Sequence, residues 1–363
     1  MTARIFVLLL AILPAAVEAA ELRTWTDHTG KLQVEAELVG FQPGKVWLRR
    51  DDEQVFEIAL GELSEADRQY VARVVQQREA AVPVDRSEAA GRIAYAAPRR
   101  LAELANARIS ESSGLAASTR TPGLFWTHND SGDEPRLYLF DKNGRDLGFC
   151  DLVDVFAYDW EDLVSFRADG KHYLLICDVG NNGRAAAVQM LHLIEEPECD
   201  PERGLDALQA TVLRTIFFSY EDDHRDCEAV AVDPSDKTIL FVSKERDVEC
   251  TVYALPWPEE IPDKAFVARP IARLKVPPVT ALDVSPDGRR AVLGTYLNAY
   301  EFARGENEPW AEAFARLPRQ VNLPQRRQGE SICYGADGKT LYLTSEKRPT
   351  PLWEVPAAMG SGS

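Results

Sequence analysis

Carboxylate side chains recur at matching positions of a repeated pattern after residue 110. Each repeat contains two short apolar stretches, and an acid stands just before the first stretch or just after the second. The acids at these positions are Glu111, Asp130, Glu161, Asp178, Glu228, Glu330 and Glu346. Carboxylates that lie close together repel one another unless a proton, a lysine or a metal cation neutralises them. The pattern therefore predicts a metal site if the fold brings these acids to one place.

The donor atoms at these positions indicate which metal would bind. All of the acids offer oxygen, and Asn129, Asn181 and Asn182 add amide carbonyl groups nearby. Oxygen ligands suit a hard ion such as Ca²⁺ rather than zinc or copper. The sequence has no EF-hand loop, so a calcium site would be of another kind. The alternative is that the acids cap turns and line a solvated funnel without a metal.

Two classes of function follow from this site. In the first, a metal-dependent hydrolase, the ion polarises a phosphoester or lactone, Glu161 or Glu330 is the base, and Lys244 holds an anionic group. In the second, a binding protein, the same residues hold an ion or ligand without turnover. Ser131 lies outside a G-x-S-x-G motif, and His128 has no recognisable partner acid and serine. We therefore favour the binding protein and keep the hydrolase as the alternative.

Five copies of a three-stranded pattern determine where the acids lie. The first stretches of the copies span 114–116, 162–164, 229–232, 281–284 and 331–334. Turn-forming segments such as 233–236, 285–288 and 335–338 separate the first stretch from the second. Repeats of about 40 to 50 residues that are built of short strands indicate the blades of a β-propeller.

The expected architecture is mainly β, with a propeller of five blades. Six blades is the alternative if a degenerate blade lies between the second and third copies, and a β-sandwich would explain the short strands but not their recurrence. The fifth copy lacks a fourth strand, so we expect the stretch before Glu111 to supply it. In a propeller, first strands begin and second strands end at one face, which predicts that the acids share a rim.

Motifs in this region carry a family resemblance. They include segments 111–115, 126–133, 159–162 and 178–182, followed by 195–197, 228–230, 243–245, 328–332 and 344–346. These segments resemble secreted propellers related to phytase-like and SdiA-regulated proteins. The resemblance implies a metal at the mouth, often Ca²⁺. It does not imply one reaction, because such folds host binding proteins, lactonases and phosphoesterases.

The N-terminal region predicts a separate small domain. Apolar residues alternate over 32–38 and continue at 46–48 and 55–58, with turn chemistry at 42–44 and 51–53, which predicts an antiparallel meander. Ser64 stands three residues before Asp67 and predicts the start of a helix that ends near Arg78.

Motifs in the same region resemble the SLA-type homology domain. They lie at 23–27, 30–31, 34–36, 46–48 and 63–71. The family has an SH3-like barrel that binds Asn-Pro-Phe-type peptides in yeast endocytic adaptors. The resemblance implies a module for a peptide or protein partner. A barrel that only packs against the rest of the chain is the alternative.

The net charge excludes some classes of partner, and the N-terminal segment indicates where the protein is located. The 363 residues carry a net charge of −17, which opposes binding to nucleic acid and to anionic lipid. A basic residue, an apolar run and small residues over 1–20 predict a signal peptide and an exported protein, with an uncleaved anchor as the alternative. Six cysteines could pair in an oxidising compartment, and the sequence selects no connectivity among them.

The predicted domain order summarises these observations. It is a signal peptide (1–20), an SLA-type homology domain (21–75), a linker (76–104), a propeller (105–356) and a tail (357–363). The predicted function is an exported two-domain binding protein with a peptide-binding barrel and a propeller that holds Ca²⁺ or a small-molecule ligand. The alternative is a Ca²⁺-dependent hydrolase with its site at the mouth of the propeller.

Overall fold

A computed structural model defines the fold. It describes residues 22–87, 93–130, 132–205, 209–245, 249–260 and 264–358, so the predicted signal peptide and Ser131 lie outside the described residues. The chain divides into two compact units, Met1–Ala81 and Val82–Ser363. Among the described helices, none is both long and apolar enough to cross a membrane.

The first unit is a small barrel with a C-terminal helix. Its elements are β1 (Arg23–Thr26), β2 (Gln33–Gln42), β3 (Lys45–Arg49), β4 (Val55–Ala59), a 3₁₀ turn (Leu60–Glu62) and α1 (Glu65–Ala81). The strands pair in chain order as an antiparallel meander. The amide of Ser64 donates to the carbonyl of Thr26 (2.8 Å), and that of His28 donates to Glu62 (2.7 Å). These bonds join the segment after β4 to the end of β1, which closes the sheet as the sequence predicts.

The alternating apolar residues form the core of this barrel, with one exception. Ala36 and Leu38 are buried beside Trp25, Val46 and other apolar side chains. Leu32, which the alternation places on the same inner face, is 71% exposed. It precedes β2, and its amide donates to the Asp27 carboxylate in the turn (2.9 Å). The turn therefore removes Leu32 from the face that the pattern predicts.

The carboxylate of Asp67 joins the start of α1 to β1. Ser64 Oγ accepts the amide of Asp67 (3.2 Å), which confirms the predicted helix cap. The Asp67 carboxylate in turn accepts Ser64 Oγ (2.7 Å), the amide of Thr26 (2.8 Å) and Arg23 Nη2 (2.6 Å). The helix continues to Ala81, beyond the predicted end, because no residue that breaks a helix occurs before Pro83.

The second unit is a propeller built from the remaining strands. They are β5 (Arg99–Glu103), β6 (Ser112–Ala117), β7 (Leu124–Asn129), β8 (Arg136–Asp141), β9 (Asp146–Val153), β10 (Trp160–Ala168), β11 (Lys171–Asp178), β12 (Gln189–Glu195), β13 (Cys199–Asp200), β14 (Gly204–Leu205), β15 (Gln209–Thr211), β16 (Arg214–Tyr220), β17 (Cys227–Val232), β18 (Ile239–Ser243), β19 (Cys250–Leu255), β20 (Phe266–Leu274), β21 (Val279–Val284), β22 (Arg290–Thr295), β23 (Asn298–Ala303), β24 (Arg319–Asn322), β25 (Cys333–Tyr334), β26 (Leu341–Leu343) and β27 (Pro351–Val355). A short helix, α2 (Trp310–Phe314), precedes β24.

These strands form five blades. From the innermost strand outward, the blades are β6 to β9, then β10, β11, β12 and β16, then β17 to β20, then β21 to β24, and finally β25, β26, β27 and β5. The five innermost strands β6, β10, β17, β21 and β25 each contact the next and close a ring. The expected count of five is confirmed. The interval that could have held a sixth blade instead forms the hairpin β13–β14 and strand β15, which pairs with β9 of the first blade.

The fifth blade contains strands from both ends of this unit. Strand β5 pairs antiparallel with β27, so that Leu352 lies opposite Ala102. The predicted closure by the stretch before Glu111 is thereby confirmed. Strand β5 falls inside the range 76–104 that the sequence predicts as a linker, and the propeller therefore begins before residue 105.

Two carboxylates connect the innermost strands across the axis of the ring. Asp162 of β10 accepts the amides of Val230 in β17 (2.9 Å) and Leu282 in β21 (3.3 Å). Asp283 of β21 accepts the amide of Tyr334 in β25 (2.7 Å). Four of the five innermost strands are thus joined by hydrogen bonds to two carboxyl groups.

The six cysteines are all free thiols. They are Cys150, Cys177, Cys199, Cys227, Cys250 and Cys333, and all but Cys199 are buried. Burial raises the pKa of Cys150 to about 11 and that of Cys227 to about 12, which keeps both thiols protonated at neutral pH. The pairing that the sequence allowed is not used in this structure.

We predict that Asp67→Ala weakens the barrel. The change removes the carboxylate that accepts from Arg23, Thr26 and Ser64, and it leaves the amide of Thr26 without its partner. The unfolding free energy should fall by roughly 1–3 kcal/mol. Hydrogen exchange over residues 23–81 of the full chain measures it. The matched control is Glu35→Ala, an exposed acid on β2. Equal protection of the two variants would contradict the role of Asp67.

We also predict that Asp283 makes the stability of the propeller depend on pH. Burial raises the pKa of Asp283 to about 7, so the native state holds a proton that the unfolded state releases near its ordinary pKa of about 4. The resulting stabilisation is complete below that ordinary pKa and is lost as pH rises to about 7. In denaturant unfolding, the unfolding free energy of Asp283→Asn should decline less between pH 4 and 7 than that of the native chain. Glu306→Gln, an exposed acid, should keep the native slope.

Candidate functional site

The mouth of the propeller, the end at which its innermost strands begin, is shaped by β-bulges. The pairing of the first and second strands slips by at least one residue at the start of each of the first four blades. The residues in the slips include Ser113, Glu161, Glu228 and Thr280. A bulge re-aims a side chain that regular alternation would direct elsewhere. The bulges therefore set the direction of Glu161 and Glu228 at the mouth.

Three carboxylates meet at one side of the mouth. Asp130, Asp159 and Glu161 each offer a ligand atom, and these atoms all lie within 4.8 Å of one another. Asp130 follows β7, whereas Asp159 and Glu161 lie on either side of Trp160 where β10 begins. We name these three residues the acid triad. Its oxygen atoms are close enough to share one cation.

Gly180 allows the triad to assemble. A Cβ atom at this position would lie 2.5 Å from Glu161 Oε1 and would also overlap the carboxylate of Asp159. Any larger residue would therefore push the two acids away from their present positions. Gly180 is required here for close approach rather than for an unusual backbone angle.

Burial and mutual repulsion oppose ionisation of the triad. Burial, followed by the charge of Asp130, raises the pKa of Asp159 to about 6. The same two causes raise the pKa of Glu161 well above its ordinary value, and the charge of Lys244 offsets them in part. A bound cation would relieve this repulsion, because it favours the charged form of each carboxyl group.

A buried ion pair lies on another side of the mouth. Lys244 Nζ donates a hydrogen bond to Glu228 Oε1, and both residues are buried. The ammonium group also lies 5.8 Å from the centre of the Tyr296 ring. Lys244 is therefore already partnered by a carboxylate.

Glu330 and Glu346 form a hydrogen-bonded pair of acids. Burial, followed by the hydrogen bond and charge of Glu330, raises the pKa of Glu346 to about 10, so the pair holds one proton at neutral pH. Glu330 Oε1 accepts Gln328 Nε2 (3.0 Å) and the hydroxyl of Tyr296 (3.4 Å). These donors keep the negative charge on Glu330.

Two other predicted ligands have partners outside the triad. Glu111 is partly exposed, and its Oε1 lies 3.1 Å from Lys347 Nζ. Asp178 accepts the amides of Tyr158 (3.1 Å) and Asp159 (2.9 Å) through its two carboxylate oxygens. Asp178 thus holds the loop that presents Asp159. Of the seven acids that the sequence selects, the structure brings only Asp130 and Glu161 into the triad.

Two of the asparagines that the sequence predicts as ligands accept hydrogen bonds from nearby backbone amides. Asn129 Oδ1 accepts the amides of Ser110 (3.0 Å) and Glu111 (3.1 Å). Asn181 Oδ1 accepts the amide of Ala186 (3.0 Å), and Asn182 is exposed. These contacts order the loops around the mouth.

His128 is a packed residue, as expected without a partner acid and serine. It is fully buried, its Nδ1 lies 2.8 Å from the carbonyl oxygen of Asn129, and its ring packs edge-on against Trp160. Burial lowers the pKa of His128. It is therefore a neutral core residue at neutral pH.

Two acids at the mouth, Asp159 and Asp226, are not among the ligands predicted from the sequence. Asp159 stands two residues before Glu161, just before β10 begins. Asp226, which accepts the amide of Asn181 (2.8 Å), stands two residues before Glu228 in the same way. Burial raises the pKa of Asp226, and Lys244 lowers it. The signal was thus a repeated acid-x-Glu spacing.

Comparison with known proteins gives a family match for the first unit and a structural similarity for a larger part of the chain. Residues 15–79 match the family model of SLA1 homology domain 1, SHD1. No curated protein matches the chain. Among solved structures, the chain is similar to one from the crystal structure of a nidogen/laminin complex, with 11% identity over 65% of this chain and 73% of that chain and a TM-score of 0.40. The N-terminal part of the chain is therefore an SHD1 domain.

Proposed function

We propose that this chain is an exported binding protein in which the barrel engages a peptide or protein and the propeller holds Ca²⁺ at its mouth. The SHD1 match over residues 15–79 supports the first role, because SHD1 domains are protein-interaction modules. The composition of residues 1–20 supports export.

The acid triad is the observation that carries the metal proposal. Three carboxylates offer up to six oxygens, and one of them, Glu161, is buried. Ca²⁺ takes six to eight oxygen ligands in a flexible geometry, whereas zinc sites usually include nitrogen or sulfur ligands. The triad contains no nitrogen or sulfur donor, so its chemistry fits Ca²⁺.

The environment of the triad also favours a cation over an anion. Lys244, the cation that acts on both Asp159 and Glu161, donates its hydrogen bond to Glu228. It is therefore less available to hold the anionic group of a phosphoester. This arrangement is the reason to prefer binding over hydrolysis at the mouth.

We predict that the full chain binds Ca²⁺ and that Glu161→Gln weakens binding at least tenfold. The substitution removes one anionic ligand, and a tenfold change corresponds to about 1.4 kcal/mol. Titration calorimetry with CaCl₂ measures it. Glu202→Gln, an exposed acid on the turn between β13 and β14, makes the same change of charge and should bind like the native chain. Absence of Ca²⁺ binding by the native chain would overturn the metal proposal.

A second prediction concerns the space that Gly180 leaves. Gly180→Ala keeps every carboxylate but displaces those of Asp159 and Glu161, so Ca²⁺ affinity should fall by a similar factor. Gly183→Ala is the matched control, because a Cβ atom there meets nothing within 4 Å. Equal Ca²⁺ affinity of the two variants would show that the ion does not bind between these acids.

A further inference from the structure

Three arginines line a cavity between the first and fifth blades of the propeller. The cavity has a volume of about 560 Å³, and Arg108, Arg136 and Arg348 lie on its wall together with Tyr138. This volume is typical of sites that hold small ligands. A group of arginines is unexpected in a chain with a net charge of −17. We name this space the arginine cavity, and its composition makes it a candidate site for an anion.

Hydrogen bonds to the backbone hold the two segments that carry Arg108 and Arg348. Asn129 Nδ2 donates to the carbonyl oxygen of Arg108 (2.8 Å). Arg327 Nη1 donates to the carbonyl oxygen of Arg348 (3.0 Å). The guanidinium group of Arg348 itself reaches the carbonyl oxygen of Ala107 (2.8 Å), which places it beside the backbone of Arg108. The two arginines are therefore neighbours on segments whose positions are fixed before a ligand binds.

The ring of Phe149 brings the third arginine to the same wall. The guanidinium carbon of Arg136 lies 4.0 Å from the centre of this ring, and that of Arg108 lies 5.7 Å from it. Both distances are within the range of a cation–π contact. One aromatic ring thus keeps two guanidinium groups close together.

Two of the three arginines keep hydrogen-bond donors for a ligand. Arg136 is committed, because its Nε and Nη2 donate to the two oxygens of Asp151 (2.6 and 3.0 Å), which lies outside the lining of the cavity. Among the residues that the structure describes, no carboxylate pairs with Arg108 or Arg348. Arg348 gives one hydrogen bond, to a carbonyl group, and the guanidinium group of Arg108 gives none within the same residues. Each guanidinium group has five N–H donors, so most of them stay available.

Two acids also line the arginine cavity, and each has donors of its own. Asp133 accepts Asn129 Nδ2 (2.5 Å) and the hydroxyl group of Tyr138 (3.3 Å). Burial, followed by the charge of Asp133, raises the pKa of Tyr138 to about 12, so its hydroxyl group keeps its proton at neutral pH. Glu134 Oε2 lies 2.8 Å from Arg136 Nη2. The two acids are therefore compensated, and the positive charge that remains belongs to the other two arginines.

We propose that the arginine cavity binds a carboxylate group, which accepts hydrogen bonds from Arg108 and Arg348. A planar carboxylate matches the fork of N–H donors on a guanidinium group. The lining holds three guanidinium groups and two carboxylates, so a ligand with one negative charge balances it. A dianion such as phosphate would leave an excess of negative charge beside Asp133 and Glu134.

The carboxylate has two sources with the same chemistry. It belongs either to an acidic side chain of a protein or to a small free acid. The site is separate from the triad, none of whose three residues lines the arginine cavity. The inference therefore does not depend on the proposed binding of Ca²⁺.

Nuclear magnetic resonance of the arginine Nε–H groups in the full chain tests the proposal with defined probes. Acetyl-glutamate amide, with a free side-chain carboxylate, represents a protein side chain, and sodium acetate represents a small free acid. Acetyl-glutamine amide is the neutral match, and every titration is held at one ionic strength with NaCl because salt screens exposed charges. At least one carboxylate probe should bind tenfold or more tightly than the neutral probe, and the tighter of the two identifies the source.

Three results would overturn the proposal. They are equal binding of the charged and neutral probes, no saturable shift with either carboxylate, and tighter binding of inorganic phosphate than of both carboxylates. The last result would leave an anion site but would contradict the assignment to a group with one negative charge.

Arginine variants locate the binding site. Arg108→Gln and Arg348→Gln should each weaken binding of the carboxylate probe roughly fivefold or more, because hydrogen bonds between charged groups are lost. Arg108→Lys keeps the charge without the planar fork and should retain only part of the affinity. The matched control is Arg167→Gln, which makes the same change of charge at an exposed position on β10 and should bind like the native chain. Native affinity in both Arg108→Gln and Arg348→Gln would overturn the placement.

Calcium titrations of the same proteins separate this proposal from the metal proposal. Arg108→Gln should keep its Ca²⁺ affinity and lose the carboxylate probe, whereas Glu161→Gln should lose Ca²⁺ and keep the probe. A chain that binds Ca²⁺ but neither carboxylate overturns only the arginine cavity as a binding site. A chain that binds a carboxylate but no Ca²⁺ overturns only the triad as a metal site.

Discussion

The ring of five blades depends on the carboxyl group of Asp162. Apolar packing alone would hold neighbouring blades together without fixing how their innermost strands are aligned along the axis. Asp162 fixes that alignment, because its Oδ2 accepts amides from strands in two other blades. A carboxyl group in such a place is expensive to bury, and it is tolerated only where backbone donors surround it. Asp283 extends the same connection to the fifth blade. The mouth then inherits its geometry from this aligned ring, since each bulge stands at the start of an innermost strand.

Like charges are crowded at the mouth, and two pairings of its residues relieve part of the repulsion. Glu228 is neutralised by Lys244, and Glu346 shares a proton with Glu330. The triad has neither a paired lysine nor a shared proton. Burial, followed by the charge of Asp130, therefore leaves the pKa of Glu161 well above its ordinary value. A positively charged ligand therefore meets uncompensated acids in the triad, whereas Glu228 and Glu346 are already compensated.

The recurrence of short apolar stretches was sufficient to predict five blades and the strand that completes the last one. It was also sufficient to place acids at the starts of innermost strands. Partners could not be predicted in the same way, because the pairing of Glu228 with Lys244 or of Glu330 with Glu346 depends on rotamers and on the exact radius of the ring. Asp159 was overlooked although its spacing from Glu161 carried the signal. The exposure of Leu32 has a similar origin, since turn contacts from Asp27 override the alternation that predicts its burial.

The pairing of β5 with β27 makes the ring complete only when its last strand is in place. Residues 99–103 are synthesised long before residues 351–355, and until then the edge of β5 has no strand to pair with. Contacts between such distant segments slow folding, because a long loop must close before they form. Unpaired edges invite association with other chains. The propeller unit is thus expected to be most vulnerable to aggregation during synthesis, and a truncation of only its final strand would leave that vulnerability permanent.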